Sequence, residues 1–316
     1  MRLGRRALTV ALGSVALAAI PPVAFALGQP FYLDLFTRIL VFAIAAVSLD
    51  LILGYGGMVS FGHAAYLGIG AYAVGILSHY GVNNGVLHFV VAILASALVA
   101  FAIGAVSLRT SGVYFIMITL AFCQMIYFLG VSLSLYGGDD GMNIAAHSDF
   151  GGVVELDKPS ALYYATLLCL LLFYCAGRRL VQSRFGMVIR GAKSNERRMA
   201  AVGFATFRYK LTAFVISGAM CGVAGALLAN LTLFVSPSIM HWTRSGEIMM
   251  MVILGGMGTL FGPALGAIAY LLLEHFLSGF TEHWQALLGP ILVLVVLFAH
   301  RGVFGLIVGQ KEAGRG

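Results

Sequence analysis

Charged side chains are scarce in this sequence. Only 10% of its 316 residues are Asp, Glu, Lys or Arg, and 60% are hydrophobic. Soluble domains are about 45–50% apolar and about 25% charged. No soluble core hides this much apolar surface, so the composition excludes a soluble globular protein. It predicts one integral membrane domain over residues 1–316, in which the longest polar interruption is about 30 residues.

The motifs of nucleotide, metal and covalent chemistry are missing as well. None of the four lysines follows a glycine, so the chain has no phosphate-binding G-x-x-x-x-G-K-[ST] loop. The eight histidines show no H-x-x-x-H spacing, and the four cysteines form no C-x-x-C pair. There is no G-x-S-x-G elbow, and Glu274 and His275 are adjacent residues that point in different directions on a helix. A membrane enzyme would have only these two and His63 to use. We therefore predict no enzyme, no metal site and no cofactor in this chain.

The few charges lie mainly in two loops of opposite sign. Residues 178–210 hold nine Lys and Arg against Glu196, and residues 136–158 hold five acids against Lys158. A basic run also suits nucleic acid, but between membrane spans the positive-inside rule is the better explanation. The basic loop is therefore predicted to be cytoplasmic, the acidic loop external, and nucleic acid is not an expected partner.

Apolar runs predict about ten membrane-spanning helices in an all-α bundle, because a span needs about 20 mostly apolar residues. The first run ends in Ala24-Phe25-Ala26 and resembles a cleaved signal peptide, but its apolar length of 20 residues favours an uncleaved helix. Alternation of ten segments places both termini in the cytoplasm. The predicted segments are 7–27, 35–54, 59–79, 86–107, 112–135, 161–177, 211–235, 247–258, 261–279 and 284–300.

Residues 247–279 fit either one long span or two short ones hinged near Gly255-Gly256, and the C-terminal basic residues favour two. The hinge is also part of a repeat, because Gly-Gly-Met followed by Phe-Gly-x-Ala occurs in 53–65 and again in 254–265. Because the predicted segments alternate in direction across the membrane, the two copies are expected to run parallel to each other. Paired Gly/Pro-interrupted segments mark the translocation region in several transporter folds. The residues assigned to helix breaks or the pathway are Asp50, Gly54, Gly56, Gly57, Ser60, Gly62, His63, Gly255, Gly256, Gly258, Gly262 and Pro263.

Glycine and alanine at helical spacing have a second role, which is to let helix backbones approach closely in lipid. Three such stripes are Ala64-Gly68-Ala71-Gly75, Gly218-Gly222-Gly225-Ala229 and Gly258-Gly262-Gly266.

Four polar residues interrupt the spans. Asp50 is either a functional group or a local acceptor for backbone amides near the Gly54 break. His63 either lines a pathway or is a hydrogen-bonded structural residue. Gln124 and Asn230 are expected to bridge helices rather than to contact cargo.

The basic loop contains a short predicted helix. Asn195 is placed to cap it, Glu196 is its first residue, Met199 and Val202 share a face, and Gly203 ends it. Such a helix suits docking on a soluble partner, or else it lies on the membrane surface with its arginines in the headgroups. The residues assigned to coupling are Asn195, Glu196, Arg197, Arg198, Met199, Ala200 and Gly203.

Five blocks of sequence, in this order, resemble the LivM-type permease subunit of branched-chain amino-acid ABC importers. They are LDLILGYGGMVSFGHAAYLGIGAYA (49–73), LYGGDDGMNI (135–144), NERRMAAVGFATFRYKLTAFVISGAMCGVAGALLA (195–229), VILGGMGTLFGPALGAIAYLLLE (252–274) and LVLVVLFAHRGVFGLI (292–307). The chain departs from the family pattern at Asp50, where Asn is frequent, and in Lys193-Ser194-Asn195-Glu196, where an acid precedes Asn-Glu.

The resemblance implies a type II importer permease in the bacterial inner membrane. It implies a LivH-like second permease, two ABC ATPase subunits that bind ATP and Mg²⁺, and a periplasmic substrate-binding protein. The implied cargo is a branched-chain amino acid, with urea, short amides or another small organic acid as alternatives within the class. A stand-alone ion-coupled carrier, with Asp50 as its ion site, is the competing hypothesis.

Overall fold

The computed structural model describes residues 13–26, 28, 31–152, 155–280, 283–298, 302 and 305. Most of these residues are helical. The first apolar stretch is helical over Gly13–Phe25. In chain order the helices are α1 (Ile20–Ala26), α2 (Phe31–Leu53), α3 (His63–His79), α4 (Gly85–Ser107), α5 (Val113–Ser132), α6 (Pro159–Gln182), α7 (Arg184–Ala201), α8 (Thr206–Thr232), α9 (Trp242–Gly255), α10 (Gly262–Ser278) and α11 (Trp284–Phe298).

Each of the ten predicted spans overlaps one of these helical stretches, although 59–62 and 256–258 are not helical, and the polytopic all-α fold is confirmed. Five helices, namely α2, α4, α5, α6 and α8, are long and apolar enough to cross a membrane. The first and last predicted spans extend into 7–12, 27 and 299–300, which lie outside the described residues. The short strands β1 (Met142–Asn143) and β2 (Phe234–Val235) pair in antiparallel register, and isolated bridges join Asp149 to Asn84 and to Glu155.

The ambiguous region 247–279 forms two helices, so the single long span is wrong. Helices α9 and α10 pack as an antiparallel hairpin, because Gly255 lies against Gly262 and Gly266 lies against Met251. A side chain at either Gly255 or Gly266 would overlap the facing backbone. Gly255 is still helical, and the break begins at Gly256, whose φ of 110° suits glycine.

Helix α8 is the centre of the bundle. It packs against α2, α3 and α4, and its stripe of small residues meets those of its neighbours. Gly222 contacts both Gly70 of α3 and Ser96 of α4, and Gly225 lies on the Leu67 carbonyl. The predicted packing role of this stripe is confirmed, since close approach of small residues stabilises helix association where lipid removes the hydrophobic driving force.

The two charged loops lie at opposite ends of the bundle. The Ser148 N–H donates to Asn230 Oδ1 (2.8 Å), and the Asp149 N–H donates to the Asn83 carbonyl (2.7 Å). These bonds bring together the loops before α4, before α6 and after α8, at what we call the acidic end. At the basic end, Lys193 Nζ donates to the Gly54 carbonyl at the end of α2 (2.6 Å). The helices therefore alternate in direction as the sequence predicted.

Candidate functional site

Helices α3 and α9 begin in the middle of the bundle rather than at its surface. A non-helical connecting segment, residues 54–62, enters from the basic end, and the Phe61 N–H donates to Thr119 Oγ1 inside α5 (3.2 Å). A second connecting segment, residues 233–241, contains a short 3₁₀ helix at Pro237–Met240. It enters from the acidic end, and Cys123 at the middle of α5 donates to the Met240 carbonyl (3.1 Å). The two helix N-termini meet there.

One hydrogen bond joins the two starts directly. The Ala64 N–H of α3 donates to Ser245 Oγ of α9 (2.9 Å). The helices have 17 and 14 residues, so at 1.5 Å per residue each is shorter than the ~30 Å hydrocarbon core. Non-helical backbone at this depth is tolerated only where protein or water covers it. Such half-helices occur at the binding sites of several transporter folds.

A long helix followed by a connecting segment and a half-helix therefore occurs twice, in opposite directions. Helix α2 runs from the acidic to the basic end and continues through 54–62 into α3. Helix α8 runs the other way and continues through 233–241 into α9. The glycine-rich copies recognised in the sequence, 53–65 and 254–265, are related differently. They lie side by side at the basic end and lead into parallel helices, α3 and α10, as alternation predicted.

Asp50 holds the two glycine-rich segments together. It is fully buried near the end of α2. Its Oδ1 accepts from the Gly258 N–H (2.7 Å) and its Oδ2 from the Leu260 N–H (3.2 Å). Asp50 was expected to accept from backbone amides near the Gly54 break. It does accept from backbone amides, but that location was wrong, because both amides belong to the turn between α9 and α10. Gly54 is needed here since a Cβ would overlap Asp50 Oδ1 and the Gly258 nitrogen.

The coupling segment is capped as its sequence predicts. Helix α7 is interrupted at Asn195 (φ −160°, ψ 99°), whose Oδ1 accepts from the Arg198 N–H (2.9 Å). At the other end Gly203 has φ 97°, its N–H bonds the Ala200 carbonyl, and the Phe204 N–H bonds the Met199 carbonyl. This is the glycine-terminated Schellman arrangement.

The segment between these caps is exposed on one side and attached on the other. Glu196 accepts from Lys210 Nζ (2.6 Å) and from Thr206 Oγ1 (3.2 Å), which fixes it to the start of α8. Val202 leaves 70% of its surface exposed and Phe204 leaves 39%. An uncovered apolar surface beside Arg197 and Arg198 suits a protein partner.

A cavity of about 430 Å³ opens behind this segment at the basic end. Its wall is formed by the first connecting segment (Gly56, Val59), the α4–α5 connection (Ser111) and the coupling region (Lys193, Glu196).

The assigned pathway residues fall into two groups. Ser60, Gly62 and His63 lie at the half-helix junction, where Ser60 Oγ accepts from the Gly62 N–H (3.1 Å) and His63 Nε2 bonds Ser217 Oγ (2.8 Å). The other group lies at the basic end around Asp50 and comprises Gly54, Gly56, Gly57, Gly255, Gly256, Gly258, Gly262 and Pro263. These contacts do not show a role in transport for either group, so both roles stay predictions.

Gln124 and Asn230 were expected to bridge helices within the membrane. Asn230 joins α8 to the acidic loop through Ser148, and not to another helix, so its predicted helix-bridging role was wrong. Gln124 is half-buried, and its Oε1 has no hydrogen-bond partner in the part of the chain that the structure describes.

Sequence reasoning missed three charged residues, Arg38, Arg244 and Glu247, and the ion pair of Glu274. Arg38 of α2 pairs with Glu274 of α10 (3.7 Å), and Arg244 pairs with Glu247 in the first turns of α9 (2.7 Å). Glu274 thus has an arginine as its partner, while the His275 ring stacks near Phe31. A signal was available, because the predicted span 247–258 is too short to cross a bilayer and begins just after Arg244.

Comparison with known proteins gives one family. The family described as "Branched-chain amino acid transport system / permease component" matches residues 31–298. The branched-chain amino acid permease proteins LivM of Salmonella typhimurium and Escherichia coli are each 27% identical, over 88% and 90% of this chain and 71% and 72% of their own lengths. A probable LivH permease of Methanocaldococcus jannaschii is 24% identical over 46% of this chain and 48% of its own. No solved structure matches.

Proposed function

Because the chain belongs to the family of branched-chain amino acid transport system permease components, we propose that it is the transmembrane permease subunit of an ABC importer for branched-chain, hydrophobic amino acids. The observation that carries the proposal is the family match over 31–298, which includes both half-helices and the coupling segment. The half-helix junction at the centre of the bundle is the proposed route for the cargo.

The energy for uptake comes from other polypeptides. The sequence has no phosphate-binding loop, so two partner ATPases bind ATP and Mg²⁺ and press on the exposed coupling segment. A LivH-like second permease completes the membrane portion, in line with the partial match to a LivH protein. A substrate-binding protein delivers the cargo at the acidic end, which faces the periplasm. Both termini are cytoplasmic in the inner membrane.

A chain of polar contacts links the coupling segment to the interior. Lys193, just before the Asn195 interruption, bonds the Gly54 carbonyl. Asp50, one turn away in α2, bonds the amides of Gly258 and Leu260. Movement of the coupling segment therefore acts on both glycine-rich segments together. With both carboxylate oxygens engaged by amides, Asp50 is a poor candidate for the ion site of a stand-alone carrier.

Changes in the coupling segment should abolish uptake without preventing membrane insertion. Glu196→Lys places a cation opposite Lys210, and Gly203→Trp forces a side chain into left-handed backbone at the helix end. We expect uptake by the assembled importer to fall at least roughly 20-fold, which corresponds to about 2 kcal/mol of lost coupling. The measurement is radiolabelled leucine uptake in proteoliposomes, with insertion followed by immunoblot.

Glu155→Lys, an exposed change in the acidic loop, is the matched control and should insert normally. The chain reconstituted alone should concentrate no solute. Full uptake by either coupling variant, or uphill transport by the chain alone, would contradict the proposal.

The sidedness of the two ends gives an independent prediction. In a background lacking the four native cysteines, Asp140→Cys should react with a membrane-impermeant thiol reagent from the periplasmic side. Asn195→Cys should react only after the membrane is permeabilised. The reverse pattern would exclude the proposed orientation.

A further inference from the structure

Four charged side chains from three helices lie together on one face of the bundle: Arg38 of α2, Arg244 and Glu247 of α9, and Glu274 of α10. We call them the charged quartet. Two ion pairs, Arg38–Glu274 at 3.7 Å and Arg244–Glu247 at 2.7 Å, connect its members. The antiparallel α9–α10 hairpin brings the pairs together, and Glu274 is close enough to both Arg244 and Glu247 to interact with their charges.

The quartet lies at membrane depth. Arg38 belongs to α2, one of the helices long and apolar enough to span. Arg244 and Glu247 lie in the first turns of α9, where Ser245 contacts Ala64 of α3 and Cys123 in the middle of α5. A charged side chain at the centre of a bilayer costs about 2.5–3.5 kcal/mol even by insertion scales, and such residues almost always face protein or a water-filled cavity.

The described part of the chain covers these charges only in part. The exposed side-chain fractions are 40% for Arg38, 36% for Arg244, 24% for Glu247 and 18% for Glu274. Because lipid is an unfavourable neighbour for two arginines and two glutamates, this face lines water or another protein. The quartet is electrically balanced, so a second subunit has no net charge to neutralise there. A ligand with one charge of each sign can exchange partners with both ion pairs.

We propose that the charged quartet is a binding site for the zwitterionic head of an α-amino acid in the translocation pathway, an inference that rests on the proposed transport function. The arginines receive the carboxylate, which guanidinium groups bind in bidentate fashion, and the glutamates receive the ammonium. Met250 lies one turn beyond Glu247 with 42% of its surface exposed, and its flexible thioether suits aliphatic side chains. The quartet thus selects amino acids over urea, amides and simple acids.

The test is substituted-cysteine labelling in the assembled importer, again without the four native cysteines. Met250→Cys should react with a water-soluble methanethiosulfonate reagent. Leucine at millimolar concentration should slow this reaction at least threefold. Isoamylamine, which lacks the carboxylate, and 4-methylpentanoate, which lacks the ammonium, should not. Leu98→Cys, on the exposed apolar face of α4, is the control and should stay unlabelled.

Adding Glu247→Gln should remove the protection by leucine while the labelling rate without leucine stays unchanged. An unreactive cysteine at position 250 would mean that a second subunit or lipid covers this face, and it would overturn the proposal. Equal protection by 4-methylpentanoate, or protection that survives Glu247→Gln, would overturn it too. Leucine uptake by the same importer distinguishes failure of the binding site from failure of the proposed function. Transport without protection refutes only the binding site at the charged quartet, whereas absence of transport refutes the proposed transport function.

Discussion

Replacing Asp50 by alanine should destabilise the protein and abolish its transport activity. The carboxylate accepts from two amides, Gly258 and Leu260, in a fully buried site. A buried donor left without an acceptor costs about 1–3 kcal/mol, so we expect a loss of about 2–5 kcal/mol. Thermal unfolding of the detergent-purified protein measures the loss, and uptake by the assembled importer measures the functional effect.

Asp50→Asn separates geometry from charge. Its amide keeps one acceptor oxygen and presents an NH₂ group to the other backbone donor, so its midpoint should fall between those of the wild-type and alanine proteins. Asp34→Asn, at the exposed start of the same helix, is the matched control and should leave the midpoint unchanged. An Asp50→Ala protein with a wild-type midpoint would show that the two amides find other acceptors, and the link between the glycine-rich segments would fail.

The sequence predicted those features that depend on local rules. The lengths of the apolar runs predict the ten helical segments, and the positions of Lys, Arg, Asp and Glu predict that the helices alternate in direction. The caps at Asn195 and Gly203 follow from side-chain chemistry within a few residues. Each of these signals acts over one turn of helix or one span, so the rest of the fold is not needed to interpret them.

Features that depend on contacts between distant segments were not predictable. Asp50 and Gly258 are 208 residues apart, and only the packing of α2 against the α9–α10 turn makes the carboxylate an acceptor for that amide. The internal starts of α3 and α9 depend on Thr119 and Cys123 of α5, which bind the two connecting segments. Hydropathy leaves Arg244 in a loop and Glu247 at the first position of the predicted span 247–258, whereas the structure begins α9 at Trp242, inside the bundle.

Glycine composition alone also cannot separate a break from a close contact. Gly56 and Gly57 lie in the irregular segment after α2, and Gly57 has φ 68°. Gly255 is helical, and Gly262 begins α10 against it. Both kinds of glycine occur within the same repeated motif, and only the facing backbone shows which role each one has.

A single methyl group at the α3–α8 contact should also have a large effect on stability. A Cβ at Gly70 would overlap the Gly222 carbonyl, and a Cβ at Gly225 would overlap the Leu67 carbonyl. The obstacle is backbone in both helices, so no rotamer change relieves it. Overpacking costs about 1–3 kcal/mol and sometimes more, and we expect the upper end for Gly70→Ala and for Gly225→Ala.

The same substitution at another helical glycine should do the opposite. An added Cβ at Gly246 of α9 would meet only the Phe61 ring, at 3.8 Å, which is ordinary van der Waals contact, and alanine is favoured over glycine in helices by about 1 kcal/mol. Gly246→Ala should therefore raise the thermal midpoint slightly, while Gly70→Ala should lower it by roughly 5–10 °C, at about 2–4 °C per kcal/mol for a chain of this size. The sign difference isolates packing from propensity, since all three variants add one methyl to a helix. A Gly70→Ala protein as stable as the Gly246→Ala protein would mean that α3 and α8 do not approach at these glycines, and the central position of α8 in the bundle would be refuted.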